Sequence, residues 1–186
     1  MISINKNKFI LLVLVCLTCI YNVNAQTFIS RNVKINIFSS TPVEDIKAAS
    51  NGGNAVLITS TQEIAVQLAI KSLSFDKKLM QEHFNENYME SDKYPLAKFK
   101  GNFEPKIDWS KDGEYTVAAK GILSVHGIDQ PRTITGKIAI KNGMITLNSN
   151  FDVACAAHKI KIPSLVFTKI AEVIKINIQA TLTSLK

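Results

Sequence analysis

IKINIQATLT, residues 174–183, sets Ile174, Ile176, Ile178, Ala180 and Leu182 against Lys175, Asn177, Gln179, Thr181 and Thr183. Successive side chains of a strand point to opposite faces, so this alternation predicts one strand with a buried face and a wet face. A helix would scatter the same apolar residues around its circumference. The same period sets Ile64, Val66, Leu68 and Ile70 against Glu63, Ala65, Gln67 and Ala69, and Ile134, Ile138 and Ile140 against Thr133, Thr135 and Lys137. Val33 to Phe38, Val56 to Thr59, Ala97 to Phe103, Tyr115 to Leu123 and Met144 to Phe151 are shorter candidates, which makes about eight strands.

Turn residues fall between these runs at Asn51-Gly52-Gly53-Asn54, Lys111-Asp112-Gly113, His126-Gly127 and Asn142-Gly143. Asn-Gly is a strong hairpin signal, because both central residues of a type I′ turn need positive φ. Many strands joined by tight turns predict antiparallel pairing. No internal repeat or composition break marks a second domain.

One internal stretch reads as a helix. In LMQEHFNENYME, residues 79–90, Met80, Phe84 and Tyr88 recur every four positions on one face of a helix from about Lys77 to Met89, with Asp76 as its cap and Tyr94-Pro95 closing the segment. A second irregular or helical piece is expected near Pro42 to Ala49.

The first 25 residues read as an export signal: Lys6 and Lys8, an apolar run from Ile10 to Ile20, and Val23-Asn24-Ala25 before a cut ahead of Gln26. That run is shorter than the roughly 20 residues of a membrane-spanning helix. Cys16 and Cys19 lack the small preceding residues of a lipoprotein cleavage site. Cleavage leaves a domain of residues 26–186, located in the periplasm or outside the cell. It carries 20 basic and 15 acidic residues, and Cys155 is its one cysteine, so no internal disulfide can form. The positive charges are scattered and aromatic residues are few, which argues against nucleic acid as a partner.

Candidates for chemistry are sparse. His83 has Glu82 beside it and Glu86 three positions on, a spacing that suits a metal, but the chain lacks H-E-x-x-H, and His126 and His158 lie in distant segments. His126, between two strand candidates, is better suited to fixing their connection by hydrogen bonds. No G-x-S-x-G elbow or Gly-rich phosphate loop occurs, and the small apolar neighbours of Cys155 suggest burial. These features argue against an enzyme and favour a binding protein without a cofactor.

FDKKLMQEHFNENYMESDKYPLAKFKG, Phe75 to Gly101, and GILSVHGIDQPRTI, Gly121 to Ile134, resemble two motifs of the YceI-like family, with fitting spacing between them and a similar amphipathic closing strand at Ala171 to Leu185. Phe75-Asp76 stands where that family usually has Arg-Asp, and Arg31 to Ser39 follows its opening strand only loosely. The resemblance implies an all-β fold, an extended antiparallel lipocalin-like barrel with a short helical insert, whose interior holds a long apolar molecule such as a polyisoprenoid. Ile64, Val66, Leu68, Phe99, Ile176 and Ile178 would then line the barrel, and the helix with Met80, Phe84 and Tyr88 would cover it. The alternative is that these residues fill a solid core and that the protein is a cell-envelope structural or interaction module.

Overall fold

The computed structural model describes residues 26–163 and 170–185; the expected export signal lies outside these residues. The elements are β1 (Thr27–Ser40), β2 (Asp45–Ile58), β3 (Glu63–Ala69), β4 (Ser74–Phe75), α1 (Lys78–His83), β5 (Leu96–Glu104), β6 (Gly113–Val125), β7 (Ile128–Lys141), β8 (Met144–Ala154) and β9 (Val173–Ser184). Neighbours in the sheet run β1-β9-β8-β7-β6-β5-β3-β2, and β2 pairs with β1 to close an antiparallel barrel. All eight strand candidates from the sequence are present, several of them longer than the alternation alone indicated. The register places Ile176 between Ile37 of β1 and Phe151 of β8, and Ile178 between Ile35 and Ser149, so the inward row of β9 meets inward rows on both sides.

Two turns are type I′ in the sense required by their sequence: His126 and Gly127 have φ of 52° and 69°, and Asn142 and Gly143 have 51° and 75°. Asn51-Gly52-Gly53-Asn54, however, is no turn. It lies inside β2, opposite the place where the β1–β2 register shifts around Val33. A Cβ on Gly53 would come within 2.9 Å of the Val33 Cβ, so this glycine serves close approach of two strands rather than chain reversal. The segment from Pro42 to Ala49 is likewise mostly strand, since β2 begins at Asp45 after a short turn in which the Thr41 hydroxyl accepts the Glu44 N–H at 3.1 Å.

The helix is shorter and more irregular than expected. After α1 the chain widens into a π-turn over Phe84–Tyr88, with the Met89 N–H donating to the Phe84 carbonyl at 2.9 Å. This wider turn offsets the angular drift that an α-helix accumulates over steps of four, which returns Tyr88 to the side of Met80. Asp76 is not the cap: Lys77 holds that position and makes no side-chain cap bond. Asp76 stands one residue too early for capping, and Gln81 Oε1 instead accepts the Phe75 N–H at 3.2 Å. Ile70, assigned to the third strand by alternation, falls in a 3-10 turn at Ile70–Ser72, after which β4 resumes pairing with β2.

Candidate functional site

The interior divides by height. At the base, Val33, Leu57, Ile138, Ile145 and Leu182 are at most 1% exposed and pack into a solid core. Gln62 crosses this end: its Nε2 donates to the carbonyls of Thr59 and Ile107, each at 3.1 Å, and its Oε1 accepts the Ile107 N–H at 2.9 Å. That ties the 105–109 loop under the barrel, with the rings of Phe103 and Trp109 6.0 Å apart.

Above Phe103 the barrel is hollow. A cavity of about 560 Å³ runs from there to the end of the barrel that carries α1, and its lining is chiefly apolar. This lies within the range of roughly 300–1,000 Å³ typical of small-molecule sites. Filling and lining therefore both occur, in different halves. The positions expected to face a ligand lie along this wall: Ile64, Val66 and Leu68 from β3, Phe99 from β5, Ile176 and Ile178 from β9, and Met80, Phe84 and Tyr88 from the helical segment. They meet residues that were read as strand but not as wall, among them Ile35 and Ile37 of β1, Val117 and Ala119 of β6, and Leu147 and Phe151 of β8. The alternation that located their strands was the signal for them.

Two hydroxyls in the wall are occupied. Ser149 donates its hydroxyl to the Thr135 carbonyl at 2.6 Å, and Ser39 Oγ accepts the Ala171 N–H at 2.8 Å. The cavity reaches the surface at a rim that includes Glu44, Lys77, Leu79 and His83, and Leu79 is 62% exposed there. Lys77 Nζ lies 2.8 Å from Glu44 Oε1, which ties the start of the helical segment to the β1–β2 turn. This carboxylate holds the Lys77 ammonium above its ordinary range. Inside the rim the Phe75 and Phe84 rings pack at 4.8 Å, and burial pushes the Tyr88 phenol up, keeping it uncharged.

His83 stands on that rim, while Glu82 lies 3.8 Å from Lys78. Among the described residues no three His, Cys, Asp or Glu side chains come together as a metal-binding group. Cys155 is buried, and burial raises its thiol pKa. His126 and His158, remote in sequence, are neighbours: His126 Nδ1 lies 3.1 Å from the His158 carbonyl oxygen, and His158 Nδ1 lies 3.1 Å from that of Ile128. Nothing in the local sequence of His158 signalled this contact. No helix among the described residues is long and apolar enough to cross a membrane.

Comparison with solved structures finds the same barrel. A polyisoprenoid-binding domain from Saccharophagus degradans, implicated in plant cell wall breakdown, superposes with a TM-score of 0.73 at 11% identity, covering 87% of this chain and 99% of that one. Burkholderia cenocepacia BcnA gives 0.66 at 14% identity, covering 81% and 96%. The Campylobacter jejuni YceI protein gives 0.59 at 14% identity, covering 75% and 84%. No curated protein matches the sequence. The YceI-like domain matches residues 21–182, nearly the whole chain, and the protein belongs to that family.

Proposed function

We propose that this protein is a carrier that takes a long apolar molecule, an isoprenoid or fatty chain, into the upper half of its barrel, and that it works in the periplasm or outside the cell after losing residues 1–25. The observation that carries the reading is the apolar cavity of about 560 Å³. A chain drawn into it gains about 0.8 kcal/mol for each CH₂ removed from water, and the occupied hydroxyls of Ser39 and Ser149 leave little to oppose that gain. The similarity to a polyisoprenoid-binding domain supports the same chemical class. Met80, Phe84 and Tyr88 form an adaptable cover, since a thioether and two rings can repack around ligands of different shape.

The test is organic extraction of the purified protein followed by mass spectrometry, together with titration by the neutral apolar dye N-phenyl-1-naphthylamine. Co-purifying lipid or saturable dye binding is expected. Repeated preparations with neither would end the carrier reading. Intact mass of the exported protein tests the location, the expected product beginning at Gln26.

A further inference from the structure

His126 fills the first position of the two-residue turn between β6 and β7, beside the place where the helical cover rejoins the barrel. Its side chain is only 10% exposed, and its ring meets that of Tyr94 edge-on at 4.7 Å. Nδ1 faces the His158 carbonyl oxygen at 3.1 Å, and Nε2 faces Glu90 Oε2 at 2.8 Å. A carbonyl accepts, and so does a carboxylate. A neutral imidazole has one N–H and must turn a lone pair toward the other oxygen; both bonds form together only on the doubly protonated ring.

We infer that His126, as an imidazolium, is the positioning residue that holds the cover down through Glu90, so that ligand release is governed by one proton. The inference rests on the carrier reading above. Glu90 follows Met89 at the end of the π-turn and holds a φ of 42°, a conformation that costs a non-glycine residue energy. Its carbonyl accepts the N–H groups of Lys93 and Tyr94 at 2.8 and 2.9 Å, and on either side of it Met89 and Ser91 donate to the Phe84 and Asn85 carbonyls at 2.9 and 2.8 Å. Release of Glu90 therefore loosens the turn that presents Phe84 and Tyr88 to the cavity.

The other charged and titratable groups around the ring do not replace this bond. The Lys93 ammonium sits 4.8 Å from the Tyr94 ring centroid and 4.0 Å from Glu90 Oε1. His158 is buried and turns its own imidazole to the Ile128 carbonyl. Asp129 is bonded to the Ser124 hydroxyl, and Arg132 donates to the Asp152 carbonyl. The tie needs a protonated ring and an ionised Glu90. Loss of the ring proton, or uptake of one by the carboxylate, breaks it.

The experiment measures release of N-phenyl-1-naphthylamine from preloaded full-length protein between about pH 5 and pH 8.5. Wild type should release it about tenfold faster at the upper end, the scale of one charged hydrogen bond. Glu90→Gln should release slowly at every pH, because its amide donates to the lone pair of a neutral ring while Nδ1–H keeps the His158 carbonyl. His126→Asn, which tolerates the turn's positive φ, should release fast at every pH. Flat wild-type release, or pH dependence that survives in Glu90→Gln, overturns the inference while leaving the carrier reading intact. Should wild type bind neither dye nor co-purifying lipid, the carrier reading fails; without dye binding, hydrogen exchange in any case decides on the tie alone. Protection at Met89 and Ser91 that falls as pH rises, after correction for intrinsic exchange, sustains it; unchanged protection overturns it.

Discussion

The two halves of this barrel are built from the same strands and the same alternation, yet one is solid and the other hollow. Leu182 and Ile176 both point inward from β9, six residues apart. Leu182 is fully buried in the base, whereas Ile176 faces the cavity and is only partly covered. Period-two patterning decides which face of a strand is inside; it does not decide whether the space opposite is filled. What fills the base is the tied 105–109 loop and the large side chains that converge there. At the other end the connection from β3 to β5 arches over the opening as a cover.

This difference sets the expected scale of substitutions. Leu182→Ala should cost about 2–5 kcal/mol in urea unfolding, because it leaves a void in close-packed surroundings, while Ile176→Ala should cost about 1 kcal/mol. Equal losses would mean that the hollow half closes around its walls in solution. Enlargement should reverse the contrast in function. Ile138→Phe overpacks the base at a cost of about 1–3 kcal/mol and leaves dye binding in the surviving folded protein. Ile176→Phe should fold with little loss and take up less dye. Retention of full dye capacity by Ile176→Phe would move the ligand out of the cavity.

Above the carboxylate range, acid should act at the end that holds His158. His83, His126 and His158 all lie at the open end, and burial holds His158 below its ordinary pKa. The unfolded ring takes up a proton near pH 6.5 while the folded ring resists, so below that value this residue lowers stability as pH falls. Hydrogen exchange should show loosening around residues 155–159 with protection of base amides unchanged. The smallest expected effect is Lys77→Ala, a loss near the limit of detection and reduced further by salt, because the Lys77 end of its bond to Glu44 is solvated. A larger loss would make that bond a structural tie of the cover.

Strands and hairpins were legible in the sequence because their causes are local. Ile174 to Leu182 alternates without interruption, and Asn142-Gly143 needs only its own backbone to turn. The Gly52-Gly53 pair was misread because a glycine that permits close approach looks, in sequence, like one that permits reversal; Val33, the reason for it, lies twenty residues earlier. The candidate site was legible in the same measure. The apolar face of Met80, Phe84 and Tyr88 could be drawn on a helix, but the π-turn depends on bonds from Met89 and Ser91. The meeting of His126, Glu90 and the His158 carbonyl depends on three connections folding to one corner. No spacing within any single connection encodes that meeting.

The pairing of β1 with both β2 and β9 makes the sheet a ring. An open sheet can lose its last strand and remain a smaller sheet; a ring that loses one gains two unpaired edges, at β1 and β8, each able to pair with another chain. During synthesis the earlier strands must wait in that two-edged state until Val173–Ser184 emerges. The strand whose sequence most plainly announces the fold is thus the last to join it, and until then the chain depends on whatever keeps unfinished polypeptides apart.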